Sequence, residues 1–142
     1  MRKLLIATHG KLASGFKSSL ELFVSEDGTI HTIDAYGDED NKDYTADMQS
    51  FIDSIGPEDE GIIFTDIAGG SVNQKAFQLC YGLEKNIFII TGANLPAILG
   101  VYLHPNPITN EEIKGILQEC QATLVVTEKA VVESNDDSDD FL

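Results

Sequence analysis

A histidine, His9, closes the first apolar run of this chain, Lys3-Leu-Leu-Ile-Ala-Thr8, and an aspartate, Asp66, closes a later one, Gly61-Ile-Ile-Phe-Thr65. Each is followed by a glycine turn and a helical pattern, Gly10 behind the histidine and Gly69-Gly70-Ser71 behind the aspartate. An unperturbed imidazole titrates at about 6.5, so its neutral form offers a nucleophilic nitrogen near neutral pH. For attack, one ring nitrogen must be free while the other holds the proton. A carboxylate accepting a hydrogen bond from that second nitrogen fixes the tautomer and supports the charge formed on attack. Asp66 suits that orienting role if the two strands lie side by side. Backbone N–H groups at the two helix starts, around Gly10 and around Gly69, Gly70 and Ser71, would receive phosphate oxygens, joined by the Ser71 hydroxyl. These are the parts phosphoryl transfer needs, because its catalysis is mostly positioning and charge stabilisation. No His, Cys or carboxylate cluster has metal-ligand spacing, and Gly10-x-x-x-x-Gly15 lacks the Lys-Ser/Thr of a nucleotide loop. Neither a metal nor a cofactor is therefore expected. His31, inside a polar strand pattern, and His104, in a proline-rich loop, read as structural or surface residues.

An alternation of strands and helices must position these residues. Leu12, Phe16, Leu20, Phe23 and Val24 recur at helical spacing and are expected to bury one face. Residues 29–35 read as a second strand, more polar than the others and so nearer an edge. Tyr44, Met48, Phe51, Ile52 and Ile55 mark a second helix, stopped by Gly56-Pro57. A third helix opens at Ser71-Val-Asn-Gln74, with the spacing of a capping box, and ends near Gly82. Residues 86–91 form an uninterrupted apolar run, as expected of a central parallel strand covered on both faces. Residues 95–103 look helical with almost no polar face, which points to cover by a subunit interface. Thr109-Asn-Glu-Glu112 is a capping box opening a last helix, with Ile113, Ile116, Leu117 and Cys120 facing inward. Residues 122–127 read as a short final strand, and the acidic stretch 133–140 as disordered. The fold class that follows is α/β: a doubly wound, mostly parallel sheet with helices on both faces. Right-handed crossovers then bring the ends of strands one and three together at a topological switch point.

A chain of 142 residues, 42% of them hydrophobic, fits one domain with one substantial core. The formal charge of −15 argues against binding nucleic acid, whose phosphates a binder must neutralise, and favours attraction to a basic patch on a protein partner. No basic segment precedes the first apolar run, so no signal peptide is expected. The uncharged stretch 87–103 is broken by Gly92, Asn94, Pro96 and Gly100 and does not read as a membrane span. Cys80 and Cys120 lie in helical patterns and read as buried thiols, consistent with a reducing cytoplasmic setting.

Three segments together resemble the enzyme IIA domain of the mannose-type (mannose/fructose/sorbose) phosphoenolpyruvate-dependent sugar phosphotransferase system. They are Ile6-Ala-Thr-His-Gly10, Phe64-Thr-Asp-Ile-Ala-Gly-Gly-Ser71 and Thr91-Gly-Ala-Asn-Leu-Pro96, and the resemblance covers residues 1–128, leaving 129–142 as an acidic tail. It implies that His9 accepts a phosphoryl group on Nε2 from the histidine-containing phosphocarrier protein and passes it to enzyme IIB. Asp66 would orient His9, and the sugar would be phosphorylated during uptake through the membrane components IIC and IID. It also implies a homodimer formed by exchange of the strand at 122–127. The chain departs from the family at Ala68, where relatives often carry an aromatic residue. Two other readings share parts of this pattern. One is the phosphocarrier subunit of a phosphoenolpyruvate-dependent dihydroxyacetone kinase. The other is a receiver-like signalling domain phosphorylated on Asp66, although Thr8-His9 stands where a receiver needs an acidic pair.

Overall fold

A computed structural model of the chain describes residues 1–37 and 43–129. The described residues form four parallel strands and five helices, alternating until two helices close the series. The strands are β1 (Arg2–His9), β2 (Ile30–Ala35), β3 (Glu60–Thr65) and β4 (Ile87–Thr91). The helices are α1 (Leu12–Leu20), α2 (Thr45–Asp53), α3 (Ser71–Cys80), α4 (Leu95–Tyr102) and α5 (Asn110–Glu119). Strand order is β2-β1-β3-β4, so the chain steps one way from β1 to β2 and the other way to β3 and β4. The doubly wound α/β expectation holds.

Alternation along the strands explains the two layers. Leu4, Ile6, Ile62, Phe64 and Ile90 face α1, α4 and α5, packing with Leu20, Ile98, Val101 and Ile113. Leu5, Ala7 and Ile63 face the other way, toward α2 and α3, with Met48, Phe51, Ile52, Val72 and Ala76. β1 and β3 are apolar on both faces because a helix layer covers each face.

Three expectations need correction. β4 is an edge strand among the described residues rather than a central one. Its apolar run reports covered faces: Phe88 packs into one core, Ile87 and Ile89 against the other. The apolar helix α4 is covered from within the chain, by the sheet, α1 and α5. The α4–α5 approach is so close that a Cβ at Gly100 would lie 2.8 Å from Ile116 Cγ2. Leu12 and Phe23 are exposed: Leu12 begins α1, and Phe23 falls beyond its end. Among the described residues, 122–127 pair with no strand of the same chain, and Leu124, Val125 and Val126 stand 88%, 77% and 71% exposed. The acidic stretch 133–140 lies outside the described residues.

At the amino-terminal edge of the sheet, Arg2 and Glu60 face each other in register and form a buried ion pair with Nη2–Oε1 of 2.5 Å. Arg2 also donates to the carbonyls of Val101, Tyr102 and His104, and Glu60 Oε2 accepts from the Ile108 amide at 2.8 Å. This pair ties the α4–α5 connection beneath the sheet. No helix among the described residues is long and apolar enough to cross a membrane.

Candidate functional site

The switch point lies between β1 and β3, and their carboxyl ends deliver His9 and Asp66 to one place. Asp66 Oδ2 accepts from the His9 backbone N–H at 3.0 Å, and both carboxylate oxygens lie 3.2 Å from His9 Nδ1. Asp66 Oδ1 also accepts from the Ile67 amide at 3.1 Å. Burial pushes the Asp66 carboxyl up, but the hydrogen bonds from the His9 backbone and ring and from its own loop outweigh this and hold it below the ordinary carboxylate value. An ionised carboxylate only accepts, so in the neutral ring the proton sits on Nδ1 and the lone pair on Nε2. The His9 side chain is 35% exposed and that of Asp66 11%, so the imidazole reaches solvent while the carboxylate is sheltered.

Nε2 points toward the opening of α3, where Ser71 Oγ stands 3.5 Å away. The capping-box reading of Ser71 and Gln74 is corrected here. Gly70 is the N-cap, Ser71 is the first helical residue, and the Gln74 side-chain Nε2 instead donates to the Gly69 carbonyl at 2.7 Å. The Ser71 hydroxyl therefore faces the histidine. Gly69 takes a left-handed φ of 75°, which glycine allows without strain. Gly70 packs so tightly that a Cβ there would sit 3.4 Å from His9 Cε1 and 3.2 Å from the Ile67 carbonyl oxygen.

The set of N–H groups expected to receive phosphate narrows. The Gly10 amide donates to the Ala35 carbonyl at 2.8 Å and the Gly70 amide to the Ile67 carbonyl at 3.0 Å. At the start of α1, the Ala13 amide donates to buried Thr8 Oγ1 at 2.7 Å and the Ser14 amide to Asp34 Oδ1 at 2.9 Å. The first turn of α1 is thus capped by side chains of β1 and β2, and α3 is the helix left facing His9. Gly10, with φ of 64°, serves the turn.

A residue that sequence reasoning passed over completes the site. Tyr36 follows β2, beside His9 because His9 and Ala35 are register partners. Its ring stacks on the imidazole at 5.8 Å between centroids and 28° between planes, and its hydroxyl lies 3.3 Å from Ser71 Oγ. The available signal was its position, one residue past the end of the strand that neighbours β1. His31 sits on β2 in an edge-to-face contact with Phe51, and His104 bonds Pro105 within its own loop. Both lie away from His9.

The receiver reading finds no support in this arrangement. Asp66 is engaged by His9 and Ile67 as an acceptor, and Thr8 is buried beneath α1. Among the described residues, no three His, Cys, Asp or Glu side chains gather as a metal site would require.

The family model for the fructose IIA component of the phosphotransferase system matches residues 3–121. Among solved structures, a provisionally assigned phosphoenolpyruvate-dependent sugar phosphotransferase system permease from Klebsiella pneumoniae is 30% identical, with a TM-score of 0.69 over 85% of this chain and 90% of that one. The IIA protein associated with the fucose utilization operon of Streptococcus pneumoniae is 26% identical, with a TM-score of 0.72 over 86% of this chain and 92% of that one. The mannose/sorbose-specific IIA subunit of Enterococcus faecalis shares the fold, with a TM-score of 0.68 at 20% identity over 91% of this chain and 98% of that one.

Proposed function

Since the chain belongs to the fructose/mannose IIA family of the sugar phosphotransferase system, we propose that His9 is its phosphoryl acceptor and Asp66 the residue that orients it. Phosphate arrives from the histidine-containing phosphocarrier protein and leaves to enzyme IIB, and the sugar is phosphorylated by the partner subunits with IIC and IID in the membrane. The observation that carries this reading is the His9–Asp66 pair, with Nδ1 held at 3.2 Å by an ionised carboxylate and Nε2 turned toward the opening.

In the transfer step the Nε2 lone pair attacks phosphorus and a new N–P bond forms. The bond between phosphorus and the donor imidazole breaks, and the donor ring keeps the electron pair. The Nδ1 proton stays on His9, and the positive charge left on the ring is supported by Asp66. Ser71 and the first-turn amides of α3 receive the phosphoryl oxygens. The transfer domain spans residues 1–128, works in the cytoplasm and needs no cofactor, with the acidic residues 129–142 as an appended tail. The exposed Leu124–Val126 segment and the open side of β4 support a homodimer in which residues 122–127 are exchanged between subunits.

The test is labelling with phosphoenolpyruvate and the two general phosphotransferase proteins, followed by addition of IIB. The wild-type chain takes up acid-labile, base-stable phosphate and releases it to IIB, and His9→Ala takes up none. Label persisting in His9→Ala, or release only to a dihydroxyacetone kinase partner, overturns the assignment.

A further inference from the structure

Tyr36 is the feature of the site that the His9–Asp66 relay leaves unexplained. It is the one non-glycine residue with positive φ among the described residues, at 63°. A bulky side chain in that region costs energy and persists only where its surroundings over-determine it. Here they do so from both sides. Ala35 is fully buried and in register with His9, while a Cβ at Gly37 would come within 3.0 Å of the Gly10 carbonyl oxygen and of Asp34 Cβ. Tyr44 supports the ring edge-on at 5.9 Å and 87°. Burial, then hydrogen bonding to Tyr36, pushes the Tyr44 phenol up to about 12, so it stays a neutral partner. Yet Tyr36, held in this way, is 60% exposed, which burial of apolar surface does not explain.

We propose that Tyr36 is a positioning residue for phosphorylated His9, its ring covering the charged imidazole and its hydroxyl, alongside that of Ser71, donating to the phosphoryl group on Nε2. The proposal rests on the phosphohistidine reading above. Attack by Nε2 with Nδ1 protonated leaves a positive ring, and a tyrosine face within about 6 Å of a cation attracts it. The 5.8 Å centroid separation meets that condition. The Ser71 hydroxyl at 3.5 Å from Nε2 and the Tyr36 hydroxyl 3.3 Å from Ser71 line the space into which the phosphoryl group is built. Both hydroxyls are donors, and a doubly charged phosphoryl group is an acceptor only. The step moves no proton: the N–P bond made on His9 replaces the one broken on the donor.

Position 36 is tested by equilibrium, because the partition of phosphate between donor and acceptor does not depend on how tightly they dock. Wild type, Tyr36→Phe and Tyr36→Gly are each equilibrated with phosphorylated carrier protein. Occupancy of His9 is read by intact mass and the phosphorus resonance by NMR. Tyr36→Phe keeps the ring and loses the donor; its partition is expected to fall about tenfold, as for one hydrogen bond to a charged group, with a shifted resonance. Tyr36→Gly removes the ring as well and relieves the left-handed backbone, so it folds; a further fall of roughly two- to fivefold is expected. Partitions within twofold of wild type in both variants overturn the proposal. So does a slower transfer rate with an unchanged partition, which makes Tyr36 a docking residue instead. Wild type that takes no phosphate on His9 removes the relay itself, an outcome distinct from either.

Discussion

Asp66 holds His9 twice, once by its backbone N–H and once by its ring, so neither strand end can drift without loosening the imidazole. Asp66→Asn preserves shape but replaces an acceptor-only carboxylate with an amide that can present either an oxygen or an N–H to Nδ1. Transfer from the phosphocarrier is expected to slow by about 10²–10⁴-fold, measured by rapid quench. The same contact has a pH signature. The Asp66 carboxyl is held below its ordinary value in the fold, so its ionisation contributes stability that is fully present above the unfolded value of about 3.9. That contribution is lost as pH falls through the depressed folded value. Urea titrations between pH 5 and pH 2 should show the stability gap between wild type and Asp66→Asn narrowing toward acid. A constant gap would mean that the ionised form is not the one the fold favours.

The elements that carry these residues were legible to different degrees. β1 and β3 announced themselves because a helix layer covers each face, leaving no polar residue from Leu4 to Ala7 or from Gly61 to Phe64. The polar ends of those strands then marked the site. β4 is equally apolar yet stands at an edge among the described residues, because apolarity records what covers a strand's faces and says nothing of its hydrogen-bonded neighbours. Ser71 was misread by one position: its spacing to Gln74 suits a cap, but the extended backbone falls at Gly70. Tyr36 left only its position just past β2 as a signal, since the way its ring turns to His9 depends on a left-handed φ that no periodicity encodes. The Thr109–Glu112 capping box, by contrast, is local, and the structure forms both of its hydrogen bonds. Arg2 and Glu60 show the reverse limit, two charges buried because each has the other. Glu60→Ala leaves the Arg2 guanidinium buried with carbonyl partners alone and should destabilise the fold by about 3 kcal/mol, read from urea midpoints at constant slope. A loss under 1 kcal/mol would show that the α4–α5 connection is held by its apolar contacts instead.

For the whole molecule the formal charge of −15 sets the terms of association. Two copies repel, so the proposed strand exchange must overcome that repulsion through β4 and the Leu124–Val126 segment. Sedimentation equilibrium should give a dimer that tightens as salt rises from 50 to 500 mM, because screening weakens the repulsion. A chain ending at Gln121 should be monomeric throughout, and dimers persisting there would move the interface elsewhere. Encounter with the phosphocarrier should show the opposite salt dependence if that partner brings a basic patch, its on-rate falling as screening grows.

His9 presents one nitrogen to the outside, the other being committed to Asp66. Under the proposed relay, giver and taker must therefore visit the same small doorway in turn, and no ternary assembly can form on it. Steady-state kinetics should be ping-pong, with parallel lines in double-reciprocal plots and inhibition when either visitor is crowded in unproductive form. Throughput then depends on how quickly each spent visitor departs as much as on the chemistry at phosphorus.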